Sequence, residues 1–524
     1  MFMLHAILAL ALTSAGDDLA TKLDAIQSAP GFANGHWGVL VVDAKTGETV
    51  YQKNPDQLFC PASVTKVFSC AAAMADLGAD YRFVTPVVRR GEVDKDGTLR
   101  GDLILIASGD PSLGGRTGKD GSLLFDDNDH TYAGSGFSGG LVDLDPAAGL
   151  DHLARVVRDS GIKAVSGEVL VDDRLFDPAP SSGSGPSKVS PIVVNDNMID
   201  VVATPSAEPG QPCAIRVVPA SAFASLDARV ETAPAGTKPK LEVMASGPRR
   251  YHVRGKLPVG HKPVVRSVEV AEPAAFARCL LVEALRRRGV DVNAPSIGNN
   301  LVELLPPRAV VGALPKVAEY TSPPLKESLR VILKVSHNLH ASTLPMLLAA
   351  KHGERTLEQG LRRQGAVLRT LGVDTAAISF GGGAGGSRSD LVTPRATVAL
   401  LRSLATRPDY PAFEAALPVL GRDGTLAKAV GPDSPARGHA RAKTGTYWVT
   451  DELSGKAILT SKALAGTMET ADGRALIVAA FVNNVPLDAA GDDISDGTAA
   501  AGRLLGRLVV VLYEAGGAGP KVAP

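Results

Sequence analysis

Between Lys66 and Ser336 the chain runs for 270 residues, yet the polar segments at the two ends of that interval read as parts of one site. The first is Ser63-Val64-Thr65-Lys66 and the second Ser336-His337-Asn338; a third, Lys443-Thr444-Gly445-Thr446, follows later. At 524 residues the chain exceeds one ordinary hydrophobic core, so two or three domains are expected. One unit split by an insertion satisfies both requirements.

Local context gives each segment its meaning. Ser63 follows Pro61 and precedes Val64, Val67, Phe68, Ala71, Met74 and Ala75, apolar at helical spacing up to Gly78. This places Ser63 in the first turn of a buried helix, with Lys66 three residues on along the same face. A desolvated lysine there can lose its proton and serve as base toward the hydroxyl. Ser160 to Lys163 repeats the spacing, but in a polar turn before the strand-like Val169-Leu170-Val171.

Ser336-His337-Asn338 interrupts two apolar helical stretches and is expected as a loop whose Ser336 relays a proton to a leaving amine. The Asn338 amide would hold the substrate carbonyl and Lys66 together. His337 and His340 share a helix face, but no third ligand lies nearby in sequence, so no metal is expected. The segment Arg441 to Val449 reads as a strand, with the apolar run Ala475 to Asn483 as its buried neighbour. Gly445 would let a peptide lie close along this strand and extend the sheet. Lys443 and Thr444 would take the terminal carboxylate of that peptide, and the backbone N–H groups of Ser63 and Thr446 would form an oxyanion pair.

Further segments accompany these three: Gly38-Val39-Leu40-Val41-Val42-Asp43 with Thr46-Gly47, Gly109-Asp110-Pro111, Asn195-Asp196-Asn197, Val392-Thr393-Pro394-Arg395, Leu417-Pro418-Val419 and Asp423-Gly424-Thr425-Leu426. Together, from about Gly38 to Asn483, the chain resembles the D-alanyl-D-alanine carboxypeptidase/endopeptidases of the class C, low-molecular-mass penicillin-binding proteins. The resemblance implies a β-lactamase/transpeptidase-like α/β/α sandwich interrupted by an inserted β-rich region. It also implies an acyl-enzyme on Ser63, peptidoglycan stem peptides as substrates, β-lactam antibiotics as covalent inhibitors, no cofactor, and a periplasmic or otherwise extracytoplasmic location. A β-lactamase and a noncatalytic cell-wall-binding relative are the rival readings. The chain departs from the family at His337, usually acidic or an amide, and at Ser342, usually glutamate. It departs also in the glycine-rich run Gly381 to Gly386, expected to loosen the site, and in a long stretch from Trp448 to Leu464.

Lysine plus arginine equal aspartate plus glutamate at 55 each, so no global field draws nucleic acid. Residues 1–15 carry an apolar run from Leu4 to Leu12 and small residues before Ala15, a signal-peptide pattern without a basic start. No segment reaches the length of a transmembrane helix. Catalytic segments are expected at 16–85 and 268–515, an inserted β-rich region at 86–267, and a disordered tail at 516–524. Arg286-Arg287-Arg288 reads as the solvated end of a helix begun near Ala274. Cys60 and Cys70 are out of bridging reach on a helix, and the pairing of Cys213 with Cys279 is left open. Gly136 to Gly140 mimics a nucleophile elbow but follows an acidic loop rather than a strand. Asp127 and Asp129 lack the spacing of a calcium loop. Glu414, the one segment resembling a deacylation base, leads straight into Leu417-Pro418-Val419.

Overall fold

A computed structural model of the chain describes residues 18–126, 130–131, 140–487 and 494–516. The signal-like segment, Asp127, Asp129, the elbow look-alike at Gly136-Phe137-Ser138-Gly139 and the tail from 517 lie outside the described residues. Among the described residues no helix is long and apolar enough to cross a membrane. The chain forms two compact units, one of residues 1–79, 332–336 and 361–524, the other of residues 80–331 and 337–360.

The first unit is built on a five-stranded antiparallel sheet in the order Ala440–Thr450, Ala457–Glu469, Ala475–Leu487, His36–Asp43, Thr49–Lys53. Its three inner strands are largely buried on both faces, so alternate side chains serve different layers. Trp37, Val39 and Val41 pack with Leu504, Leu505, Leu508 and Leu512 of the Ile494–Ala515 helix. Gly38, on the other face, lies against the Phe59 ring, where a Cβ would stand 2.2 Å from a ring carbon. The Pro394–Ala405 helix also packs on the sheet. The result is the expected α/β/α sandwich.

One strand was misread. The run Ala475–Leu487 does not pair with Ala440–Thr450; Ala457–Glu469 lies between them, in register Lys443↔Ala465 and Thr446↔Lys462. Ser461, Lys462 and several small residues mask the period-2 pattern of this strand, so most of it fell within the long stretch Trp448 to Leu464. That stretch is a hairpin, closed at its tip by Asp451, which accepts from Leu453 N at 3.0 Å.

The second unit contains a six-stranded mixed sheet, including Val84–Val93, Thr98–Ile106 and Val169–Asp172, and two three-stranded sheets. It is less purely β than the sequence suggested. The Ala148–Asp159 helix buries Leu150, Leu153, Ala154 and Val157, an i, i+3, i+4, i+7 stripe. The Pro273–Arg287 helix buries Phe276, Leu280, Leu281 and Leu285 in the same core as Leu103 and Val169. Helical periodicity after Ala274 had marked a return to the catalytic segments at 268, but this helix belongs to the core of the 80–331 unit. Its end is tied as well as solvated, since Arg286 donates to the carbonyls of Val292 and Ala294. All four cysteines are free: Cys213 faces Thr232 and Cys279 faces Glu283.

Candidate active site

Ser63 lies in the short 3-10 turn Ala62–Val64, which runs directly into the Thr65–Leu77 helix. That helix is buried on all sides through Met74 and stops at Gly78, whose φ is +98°. Ala62, just before the serine, has φ +45°, and Ser336 has φ +63°. Neither is glycine, and such left-handed residues persist where the surroundings over-determine them. The decoy Ser160 merely caps the end of Ala148–Asp159, its hydroxyl donating to Val157 O at 2.7 Å.

The side chains of Ser63, Lys66, Ser336 and Lys443 converge in the first unit. Lys66 Nζ donates to Ser63 Oγ at 2.8 Å and to Ala384 O at 2.7 Å. Lys443 Nζ donates to Ser336 Oγ at 2.9 Å and to Thr444 O at 2.8 Å. Thr444 Oγ1 donates to Thr425 Oγ1 at 2.6 Å. Burial pulls the Lys66 ammonium well below its usual range; the charge of Lys443 adds to that, while Cys70 and Asp390 oppose it. Burial likewise brings Lys443 down to about 7, with Cys70 opposing and Lys462 adding. A lysine whose charged form is disfavoured is a base poised for a neighbouring hydroxyl.

Gly445 turns out to be required by the protein itself. A Cβ there would stand 2.4 Å from Pro61 O and 3.2 Å from Ala62 Cβ, so the strand presses directly on the turn that carries Ser63. The outer edge of Ala440–Thr450 is bridged at Val419↔Arg441, and beyond it carries no strand partner among the described residues. Asn338 opens the Asn338–Lys351 helix in the second unit, where its amide donates to Ser184 O at 2.8 Å and Ser184 Oγ at 3.2 Å.

The glycine-rich run is not loose. Gly381 N and Ser387 N donate to the two carboxylate oxygens of Asp390 at 2.8 and 2.9 Å, stapling the loop at both ends. Gly383 O accepts from Ser69 Oγ at 2.8 Å, and Ala384 is buried. At Gly385, φ +93°, a Cβ would meet Ala62 O at 1.9 Å. These glycines allow close backbone approach to the Ser63 turn rather than freedom. Asp390 was missed by sequence reasoning. Burial pushes its carboxyl up to about 6, against the two backbone N–H bonds and Lys66. Glu414 is engaged elsewhere, accepting from Tyr410 at 3.3 Å and Thr467 at 3.2 Å.

The histidines of the second segment acquire the partner the sequence did not reveal. Asp196, His337 and His340 place ligand-type atoms within 4.8 Å of one another. Asp196 Oδ1 faces His340 Nε2 at 2.7 Å; Oδ2 faces His337 Nε2 at 3.3 Å, His130 Nδ1 at 2.7 Å and the Arg116 guanidinium. The carboxylate is thus already neutralised by a permanent cation. His337 Nδ1 accepts the backbone N–H of His340 at 3.4 Å, which leaves Nε2 of the neutral ring as an N–H donor rather than a metal-ligating lone pair. Burial holds His337 down at about 4, in that neutral form. The cluster reads as an ion-pair hub.

The sequence profile of the D-Ala-D-Ala carboxypeptidase 3 (S13) family matches residues 19–503. The chain belongs to this family. It is 32% identical over 460 residues to a D-alanyl-D-alanine carboxypeptidase of Actinomadura sp. (strain R39), covering 84% of this chain and 78% of that one. To the D-alanyl-D-alanine carboxypeptidase DacB of Haemophilus influenzae it is 24% identical over 463 residues, with 85% of each chain covered. Among solved structures, penicillin binding protein 4 (dacB) of H. influenzae shares the fold, with a TM-score of 0.66 at 22% identity over 95% of this chain and 98% of that one.

Proposed function

We propose that this family member is a serine-type D-Ala-D-Ala carboxypeptidase acting outside the cytoplasm on peptidoglycan stem peptides through an acyl-enzyme on Ser63. The observation that carries the reading is the Lys66 Nζ–Ser63 Oγ contact of 2.8 Å, made by a buried lysine whose proton is weakly held. Lys66 takes the hydroxyl proton as Ser63 attacks the penultimate carbonyl. Thr446 N and Ser63 N receive the oxyanion, and Ser336, bonded to Lys443, passes a proton to the departing D-alanine. Lys443 and Thr444 take the terminal carboxylate. Water then releases the shortened peptide.

A β-lactam presents its carbonyl to the same serine. Two candidate carboxylates for aiming water at the ester are committed elsewhere: Asp390 to two backbone N–H groups and Glu414 to two hydroxyls. The adduct is therefore expected to persist. Purified protein should release D-alanine from a muropeptide ending in D-Ala-D-Ala and gain one stable benzylpenicillin adduct by intact mass. Ser63→Ala should lose both; release retained in that variant, or an adduct gone within seconds as penicilloate accumulates, rejects the assignment.

A further inference from the structure

A neutral lysine acts as a base only while its lone pair faces the hydroxyl it is to deprotonate. The amine turns about its last bond unless an acceptor holds one of its N–H groups. Ala384 O is such an acceptor, 2.7 Å from Lys66 Nζ. A carbonyl oxygen only accepts, so it takes an N–H of Lys66 in either protonation state and helps aim the rest of the amine at Ser63 Oγ, 2.8 Å away. Where that carbonyl sits therefore bears on the chemistry, and the side chain that fixes it lies further along the chain.

Asp390 is fully buried, and each of its oxygens accepts one backbone N–H, Oδ1 from Gly381 at 2.8 Å and Oδ2 from Ser387 at 2.9 Å. Asp390 N closes the turn again by donating to Ser387 O at 3.1 Å. Between the two staples the loop passes the serine helix, where Gly383 O accepts from Ser69 Oγ and Ala384 O from Lys66. Beyond Asp390, Val392 exchanges N–H···O bonds of 2.8 and 2.9 Å with Phe59, on the segment that leads into the Ser63 turn. Asp390 thus stands where one segment is tied both to the approach to the nucleophile and to the carbonyl that holds the base.

Closing a loop does not require a carboxylate. An asparagine or serine accepts an N–H without the cost of burying a charge. A carboxylate accepts at both ends of the loop together and also sets a negative charge near the base. Burial and the Lys443 ammonium disfavour the charge on Lys66, whereas Cys70 on its own helix and Asp390 from the loop favour it. Asp390 acts in turn on Lys66 and on Cys60, whose thiol burial raises and Asp390 raises further.

We infer that Asp390 is a positioning residue for acylation: through the Gly381–Ser387 loop it holds Ala384 O on Lys66 and so aims the base at Ser63. The inference rests on the acyl-enzyme reading and adds to it a residue that acts through the base. Its charge has a second effect, keeping the proton on Lys66 to a higher pH than burial alone would allow.

The test compares wild type with Asp390→Asn and Asp390→Ala. Acylation by a fluorescent penicillin is followed by stopped flow as a function of pH, with the melting temperature as the control for folding. In parallel, protein carrying carbon-13 lysine is titrated by NMR, the Lys66 signal being assigned by its loss in Lys66→Arg. Asp390→Ala frees both ends of the loop and should acylate about 10- to 100-fold more slowly, the scale of a misplaced reacting group. Asp390→Asn keeps one of the two acceptors and should lose less. In both variants the rising limb of the rate profile and the NMR midpoint of Lys66 should move to lower pH, because the charge favouring the ammonium is gone. A purely structural role would slow acylation equally at every pH and in step with the melting temperature. That result, or a wild-type rate in Asp390→Ala, overturns the inference. If wild type takes no penicillin adduct, the acyl-enzyme reading falls, and the Lys66 midpoint alone then decides whether Asp390 governs the base.

Discussion

Around Asp196 every buried charge faces an opposite one: Arg116 and His130 answer Asp196, and His130 also reaches Asp200 at 2.9 Å. Lys443 is buried and Lys462 half-buried, yet among the described residues they face hydroxyls and carbonyl oxygen rather than a carboxylate. The first arrangement keeps its charges in the folded protein: the His130 ring is held well above its usual range by the two aspartates, despite burial, and Asp196 well below its own. The second leaves its charges poorly compensated, and Lys443 and Lys462 are pushed toward neutrality. A balanced cluster holds structure together, whereas an unbalanced one stores a demand that a substrate can meet. Perturbing each cluster should therefore give opposite signatures.

The largest effect is expected at the base. Lys66→Ala should slow acylation of Ser63 by about 10²–10⁴-fold, the usual worth of positioned proton transfer, with little change in melting temperature. Stopped-flow labelling with a fluorescent penicillin measures it; a variant that acylates at the wild-type rate removes Lys66 from the chemistry.

Next in size is the hub. Asp196→Ala leaves Arg116 and His130 buried without their shared anion, and breaking a buried pair this way costs about 3–5 kcal/mol. The urea midpoint should fall accordingly. Asp196 sits in a run of three left-handed residues, Asn195, Asp196 and Asn197, with φ of 52°, 51° and 56°, which asparagine and aspartate tolerate best. Asp196→Asn should keep the backbone and lose less. A midpoint unmoved by Asp196→Ala would mean that the charges around it do not compensate one another.

The site should behave in reverse. Lys443→Met removes a buried amine that has no carboxylate partner among the described residues, so it should stabilise the fold by about 1–4 kcal/mol while impairing turnover of free-acid peptides. It should also relieve Lys66 of a repelling charge, moving the rising limb of the acylation pH profile upward. Loss of both stability and activity would place Lys443 with the structural charges instead.

The local structure of the three segments proposed as catalytic was legible because each announces its element locally: proline before the Ser63 helix, a polar break between apolar helices, a β-rich run around Gly445. The hub was not. Asp196 and His337 stand 141 positions apart, and no periodicity connects them. Glycines 381–386 were misread because a sequence shows glycine's freedom but not the backbone it must approach, here Ala62 O. The strand Ala457–Glu469 was missed for another reason: both of its faces are covered, so Lys462 and Ser461 stand where an alternating pattern would need apolar residues.

The most gradual expected effect is a pH slope, spread over several units, and it separates the two clusters by sign. Lys443 has a folded pKa of about 7 against an unfolded value near 10.5, so between those limits the unfolded chain binds a proton that the folded protein does not. Stability then rises with pH across the window, by up to about 1.4 kcal/mol per unit from this one group. His130, raised by Asp196 and Asp200, works the other way, because its contribution is complete below about 6.5 and is lost as pH climbs through its raised folded value. In wild type the two slopes oppose each other. The stability advantage of Lys443→Met over wild type should therefore be greatest at pH 7 and shrink toward zero near pH 10, leaving the variant with the steeper alkaline decline set by His130. Urea unfolding of both proteins at pH 7, 8.5 and 10 measures it. A difference that stays constant across that range would show that Lys443 keeps its proton in the folded protein, and would move it to the compensated side of the comparison.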